Sequence, residues 1–133
     1  MRFLAYLFIT LFFSLALAQE TMGPAVDEIA VCTAVEDREP VAADTSFSAD
    51  IGTLYCFTKV TGAAADSSIS HVWYYNDEEK ARIKLSVRAD AWRTWSSKQI
   101  AEDWTGNWRV DVESVAGTVL ASKAFVIEAA VKP

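Results

Sequence analysis

The stretch KARIKLSVRA, residues 80–89, shows the cleanest alternation of apolar and polar side chains in this 133-residue chain. Its apolar positions are Ala81, Ile83, Leu85, Val87 and Ala89, and its polar positions are Lys80, Arg82, Lys84, Ser86 and Arg88. Successive side chains of a strand point to opposite faces of the sheet, so a period of two predicts a strand with one buried face. No long helical period follows the first eighteen residues, and an all-β fold is therefore predicted.

Further strands are predicted on both sides of this stretch. They are rich in aromatic and β-branched residues or alternate in polarity: IAVCTAV (29–35), TLYCFTKV (53–60), ISHVWYY (69–75), AWRTWSS (91–97), NWRVDVES (107–114) and TVLASKAFVIEA (118–129). Turn residues separate them at short intervals, with Ala116-Gly117 as a hairpin turn. About seven strands with this spacing are typical of a β-sandwich.

The spacing Gly106-x-Trp108-x-Val110-x-Val112 sharpens the prediction of a sandwich. It resembles the Gly-x-Tyr-x-Cys-x-Val strand of immunoglobulin-type domains, with Trp108 at the tyrosine position and Val110 at the position of the second cysteine. We therefore predict a single immunoglobulin-like antiparallel β-sandwich, which follows a signal peptide.

The amino terminus predicts export. A positive start is followed by an apolar run that is short for a membrane span, and Ala16-Leu17-Ala18 forms an A-x-A cleavage signal. Residues 1–18 are therefore predicted to be a signal peptide, with an uncleaved amino-terminal anchor as the alternative. After cleavage we expect no membrane insertion and a periplasmic or extracellular location. Residues 19–28 are predicted to be a flexible leader, and residues 29–133 the β-sandwich domain.

The charge balance limits the classes of partner. The chain has 12 basic and 18 acidic residues, a net charge of −6, and loss of Arg2 with the signal peptide makes it −7. An acidic domain repels polyphosphate backbones, which argues against nucleic acid. It also gives no support for binding to anionic lipids.

The chain has two cysteines, Cys32 and Cys56. An even number in an exported chain predicts a disulfide, which would restrain the unfolded chain by about 3–4 kcal/mol in the entropy model. The alternative is a reactive or metal-binding pair, but Cys-x-x-Cys spacing is absent and a single histidine leaves too few ligands for zinc. No metal and no cofactor are therefore expected.

The order of the sequence motifs resembles a known family. CTAVEDREPV, LYCFTKVTG, ISHVWYYN, WRTWSSK, GNWRVDV and GTVLASKAF together are similar to the domain of unknown function 2914 family of exported bacterial proteins, over about residues 30–128. The H-x-W and W-R-T-W-S-S-K elements are the most distinctive. The resemblance implies a bacterial envelope or secreted domain, and it implies no activity and no catalytic residues.

The hairpin through HVWYYNDEEKARIK leaves two registers open. An even-numbered loop would place His71, Trp73 and Tyr75 on an outer aromatic and cationic ladder, opposite Lys84, Arg82 and Lys80. An odd loop or a bulge would instead place Trp73 in the core beside Ile83, with His71 half-buried near the sheet margin. Ile69 has the same parity as Trp73, which favours the core position.

The stretch WRTWSSK raises the same question. Trp92 lies on one face of the predicted strand and Arg93 and Trp95 lie on the other, so we expect one tryptophan in the core and one partly exposed. All five tryptophans lie between residues 73 and 108, either as core bulk or as an aromatic patch. The candidate contact residues of such a patch are His71, Tyr75, Arg93, Trp95 and Lys98.

Catalytic motifs are weak in this chain. A Ser–His–Asp arrangement would need His71 as its base, and no Gly-x-Ser-x-Gly elbow is present. The first hypothesis is therefore a non-enzymatic, exported β-sandwich that binds an envelope protein or a polysaccharide through an aromatic and basic patch. The second is a structural or assembly module without a ligand site. The third is a hydrolase built on His71 and a loop carboxylate.

Overall fold

The computed structural model describes residues 23–131, which form ten strands and no helix. The strands are β1 (Ala25–Cys32), β2 (Ala34–Glu36), β3 (Glu39–Val41), β4 (Ser46–Ser48), β5 (Thr53–Thr61), β6 (Ser67–Tyr75), β7 (Glu78–Val87), β8 (Ala91–Gln99), β9 (Gly106–Ser114) and β10 (Val119–Glu128). Seven of them have eight to ten residues, whereas β2, β3 and β4 have three each. The predicted all-β fold with about seven main strands is confirmed.

The strands form two main sheets and one separate hairpin. The smaller sheet has the order β1-β5-β8, the larger sheet has the order β4-β10-β9-β6-β7, and β2 pairs only with β3. All pairs are antiparallel except β4 with β10. The order of the long strands is that of A-B-E and G-F-C-C′ in an immunoglobulin-type sandwich, as predicted.

The core lies between these sheets. Phe125 of β10 is its aromatic centre, with ring centroids 6.1 Å from Phe47, 6.2 Å from Trp73 and 5.9 Å from Trp108. Trp73 is 0% exposed and Trp108 is 2% exposed. The buried position of Trp108 on β9 agrees with the predicted sandwich strand, because its indole fills the place of the tyrosine in the Gly-x-Tyr-x-Cys-x-Val pattern.

The predicted leader is shorter than expected. Strand β1 begins at Ala25, which pairs with Thr61 of β5, so residues 25–28 belong to the sheet. The alternation of polarity is weak there, because Asp27 and Glu28 are adjacent acidic residues at a bulge in β1. The sequence pattern therefore did not predict the start of this strand. The predicted signal peptide and residues 19–22 lie outside the described residues.

The β6–β7 hairpin combines an even loop with a bulge. Asn76 and Asp77 form its two-residue turn, with φ of 47° and 65°, the left-handed conformations that a type I′ turn requires. Lys80 is then the extra residue of a bulge, so Trp73 lies opposite Ala81. The parity with Ile69 favoured Trp73 in the core, and this is confirmed.

The predicted disulfide between Cys32 and Cys56 is wrong: both thiols are free and buried. In the β1–β5 pair, Cys32 lies opposite Tyr55 and Cys56 lies opposite Val31. Directly opposed residues point to the same face, so this offset of one residue sends the two cysteines to opposite faces of the sheet. Cys56 lies in the core with Val110, which stands where immunoglobulin-type domains have the second cysteine.

We expect two free thiols per chain that react with a thiol reagent only after unfolding. Burial raises the pKa of Cys32, and burial followed by the neighbouring Cys32 raises the pKa of Cys56 well above its usual range. A high thiol pKa keeps the reactive thiolate scarce. The measurement is a thiol count by mass spectrometry after alkylation, under native conditions and in denaturant. An unreduced sample that takes up no alkylating reagent in denaturant would contradict the free thiols.

Candidate functional site

A buried polar network surrounds His71 between the two sheets. The His71 Nδ1 lies 2.7 Å from Ser96 Oγ, and its Nε2 lies 3.2 Å from Thr58 Oγ1. The Trp73 indole donates to Ser96 Oγ at 3.1 Å, and the Thr58 hydroxyl donates to the Thr94 carbonyl at 3.3 Å. Strands β5, β6 and β8 each contribute to this network, which therefore joins the smaller sheet to the larger one.

The network fixes one protonation state. Ser96 Oγ accepts the Trp73 N–H, so its own hydrogen is available to donate to His71 Nδ1. Thr58 donates to Thr94, so its oxygen accepts from His71 Nε2–H. A neutral imidazole protonated at Nε2 thus satisfies both ring nitrogens. A positively charged imidazole would have two N–H groups, and Ser96 would then lack an acceptor for its hydrogen.

His71 is a core residue, which corrects the prediction of an outward contact or a half-buried residue at the margin. Its side chain is 0% exposed, and burial lowers its pKa to about 4. The Ser96 partner is only 5% exposed. From this position His71 cannot contact a macromolecular partner in the folded domain, and the serine–histidine pair is closed to a substrate.

Tyr75 and Lys98 meet at one end of the sandwich through Trp104. The Tyr75 ring stacks on Trp104 at 5.8 Å, and its hydroxyl donates to the Thr105 carbonyl at 2.6 Å. The Lys98 Nζ lies 5.2 Å from the centre of the Trp104 ring, and Lys80 Nζ lies 5.3 Å from it. The sequence reading did not identify Trp104 as the residue that joins them, although its indole in the loop EDWTG was the available signal.

Arg93 and Trp95 lie on the outer face of β8, away from the core. Ser96 points inward to His71, so its neighbours in the strand point outward. Trp95 is 38% exposed, the most exposed of the five tryptophans, all of which the structure describes. Its direct partner on β5 is Phe57, which points to the same face and is fully buried.

The β2–β3 hairpin extends to this outer face. It turns at Asp37 and Arg38, whose φ values of 50° and 60° are left-handed. From the hairpin, Glu39 pairs with Arg93 at 3.2 Å, and the Arg38 guanidinium lies 5.8 Å from the centre of the Trp92 ring. The sequence reading missed this hairpin because its strands have only three residues each and include a proline.

A cleft opens between this hairpin and the smaller sheet. Its volume is about 340 Å³, and its lining residues are Arg38, Lys59, Ala91 and Arg93. Lys59 and Arg93 are direct cross-strand partners on β5 and β8. Lys59 also pairs with Asp27 at 3.5 Å. We call the cleft and the adjacent Trp95 the β8 outer surface.

The arginines on the outer face of the larger sheet are each paired with two carboxylates. Arg82 pairs with Glu79 at 2.8 Å and with Glu113 at 3.2 Å, and these hydrogen bonds raise its pKa above the usual value. Arg109 pairs with Asp77 and with Asp111. Each of these cations faces two carboxylates, so neither is available to an anion without loss of existing ion pairs.

The structure therefore divides the predicted patch of five residues into three places. His71 is in the core, Tyr75 and Lys98 are at the Trp104 end, and Arg93 and Trp95 are on the β8 outer surface. The contact roles of these last four residues stay predictions.

Comparison with known proteins gives a match to a family of unknown function. Residues 66–127 match the family model described as "Protein of unknown function (DUF2914)". The resemblance predicted from the sequence is thereby confirmed, over a segment that runs from β6 into β10 and includes Arg93 and Trp95. No curated protein matches the chain. In the part of the chain that the structure describes, no helix is long and apolar enough to cross a membrane.

Proposed function

We propose that this chain, whose residues 66–127 match a family of unknown function, is a non-enzymatic binding module of the bacterial envelope. Its contact surface is the β8 outer surface, and its partner is an envelope protein or a polysaccharide. The observation that carries the proposal is the exposure of Trp95 beside Arg93. Tryptophan and arginine are enriched among the residues that dominate binding energy at interfaces.

The environment of Trp95 supports a contact role. Its indole projects from the β5–β8 strand pair, where Phe57 lies directly opposite it on β5. A flat apolar ring held on a strand binds a partner with little loss of side-chain entropy. Arg93 adds charge-assisted hydrogen bonding two residues away on the same face.

The position of His71 favours binding over catalysis. A general base needs reach to the proton that it removes and a pKa near the working pH. His71 is enclosed, satisfied by hydroxyl groups at both ring nitrogens, and weakly basic. It is also the only histidine of the chain, so the hydrolase hypothesis lacks a second candidate.

Export is part of the proposal and rests on the sequence. The apolar run and the A-x-A signal of residues 1–18 support cleavage after Ala18 and a periplasmic or extracellular domain. The second candidate is a structural or assembly module. It is favoured by the inward position of His71 and Trp73, because these aromatic residues serve the fold alone.

Alanine at Trp95 and Arg93 is expected to abolish binding with little change in stability. Because Trp95 is partly exposed and the Arg93 ion pair lies at the surface, the free energy of unfolding should fall by only about 1 kcal/mol. Binding is measured by incubating the purified domain with cell-wall glycans and envelope extracts. Stability is measured by urea denaturation.

Val126→Ala is the matched control, since Val126 is also 38% exposed but lies on β10 of the other sheet. It should leave binding intact. If the double variant binds envelope material as well as the unchanged protein does, the β8 outer surface is not the contact surface. If it loses several kcal/mol of stability, Trp95 belongs to the fold and the structural module is favoured.

A further inference from the structure

Three basic side chains converge on the cleft of the β8 outer surface. Arg38 comes from the hairpin turn, Lys59 from β5 and Arg93 from β8, with Ala91 as the remaining lining residue. This concentration of positive charge occurs in a chain whose net charge is −6. A cleft lined by charges of one sign focuses the electrostatic field and attracts ions of the opposite sign.

The cations of the cleft are only weakly compensated by the carboxylates around them. Lys59 and Arg93 are directly opposed in the β5–β8 ladder, where like charges repel. Their carboxylate partners, Asp27 and Glu39, have side chains 57% and 55% exposed. Ion pairs of this kind are weak and exchange readily for another anion. Within residues 23–131, Arg38 forms no ion pair at all.

The Arg93 guanidinium has an unused donor. Its Nε is shut off from solvent and has no hydrogen-bond partner, while Nη2 reaches Glu39 at 3.2 Å. A small rotation that releases Glu39 would let Nε and Nη2 meet the two oxygens of a carboxylate, the bidentate geometry that arginine favours.

The hairpin turn holds the third cation in place. Arg38 is the second residue of the two-residue turn and has the left-handed φ of 60° that this turn requires. Its guanidinium lies near the Trp92 ring at the edge of the cleft.

We propose that this cleft binds the carboxylate of an acidic polysaccharide, an inference that rests on the proposed function. Trp95 and Arg93 point to the same face of β8 about 7 Å apart, given the rise of a strand. A sugar ring stacked on the exposed indole therefore brings the carboxylate of a neighbouring sugar to the cations. An acidic peptide needs only the charges, and the flat aromatic surface beside them favours the sugar.

The test compares three polymers at low salt. The protein should bind polygalacturonate, measured by calorimetry, and should bind neither neutral dextran nor poly-L-glutamate with comparable affinity. The variant Arg38→Gln/Lys59→Gln should bind polygalacturonate at least about tenfold more weakly. The control Lys84→Gln removes an exposed cation from β7 of the other sheet and should bind like the unchanged protein.

Stability separates loss of the site from loss of the fold. The double variant loses the surface ion pair of Lys59 with Asp27 and the contact of Arg38 with Trp92, which are weak. It also loses the repulsion between Lys59 and Arg93, so its urea midpoint should change little. Weaker binding of polygalacturonate with an unchanged urea midpoint supports the cleft as a carboxylate-binding site. If poly-L-glutamate binds as tightly as polygalacturonate, the preference for a polysaccharide is overturned. If the double variant binds polygalacturonate as tightly as the unchanged protein does, the cleft is not the binding site.

The envelope assay distinguishes this failure from that of the proposed function. One outcome is that Trp95→Ala abolishes capture of envelope material while Arg38→Gln/Lys59→Gln retains it. This result would overturn carboxylate binding in the cleft and leave the proposed contact surface standing. Capture that persists in both variants would overturn the two proposals together.

Discussion

Trp73→Ala is expected to lower the free energy of unfolding by about 3–5 kcal/mol, the usual cost of truncating a buried aromatic residue. The Trp73 side chain is fully buried and packs edge-on against Phe125. Its indole N–H also donates to Ser96, so the variant weakens the network around His71 as well as the packing. The measurement is urea denaturation at pH 7, where His71 is neutral.

Two variants control this result. Trp95→Ala removes the same side chain from an exposed position and should cost only about 1 kcal/mol. Trp73→Phe keeps an aromatic ring but removes the N–H donor, so its cost should lie between the two. A loss below about 1 kcal/mol in Trp73→Ala would contradict the core position of Trp73 and, with it, the bulge at Lys80 that places it there.

Acidification from pH 6.5 to pH 4 is expected to remove about 3 kcal/mol of stability through His71 alone. The pKa of His71 is about 4 in the folded domain and about 6.5 in the unfolded chain. Between these values the unfolded chain holds a proton that the folded domain does not, so stability falls as the pH falls. Above about pH 7.5 the residue is neutral in both states and contributes no pH dependence.

His71→Gln is the control for this pH dependence, because glutamine keeps a polar side chain but does not titrate. Carboxylates also titrate in this range, so the quantity that matters is the difference in free energy of unfolding between the two proteins at each pH. That difference should shrink by about 3 kcal/mol on acidification. A constant difference, or an NMR titration of the His71 ring near pH 6.5, would contradict the buried neutral network.

The hydrogen-bond network around His71 also favours one alignment of the two sheets. Three of its four hydrogen bonds cross from β6 to the smaller sheet, and each donor has one acceptor. A slip of one residue in β6 or β8 would turn these groups to the outside and leave partners unpaired. The cluster therefore favours one alignment of the two sheets over its alternatives, a role that the apolar core alone does not provide.

The sequence determined the elements that depend on local pattern. Alternation of side chains predicted β7 and β9, and the spacing from Gly106 to Val112 correctly placed β9 as the F-like strand of a sandwich. The parity of Ile69 and Trp73 correctly favoured a core tryptophan. The first and third of these inferences need only the rule that neighbouring residues of one strand face opposite sides, and the second adds the residue spacing of one immunoglobulin-type strand.

The tertiary structure decided what depends on register between strands. The pairing of Cys32 with Tyr55 instead of Cys56 separates the two thiols, and the bulge at Lys80 turns the end of β7. The polarity pattern of a single strand does not predict either offset, because each offset is a property of the pairing between two strands. The burial of His71 has the same origin, since its partners Thr58 and Ser96 are distant in sequence and meet it only when the sheets pack.

The β8 outer surface shows both contributions. The sequence alone put Arg93 and Trp95 on one face of one strand, and the structure agrees. Only the folded chain brings Arg38 to them, because a hairpin of three-residue strands has too few residues to show a period and is held by what it packs against. Local alternation thus fixed which side chains of β8 share a face, whereas the packing of the strands fixed which face is outward and which residues share a cleft.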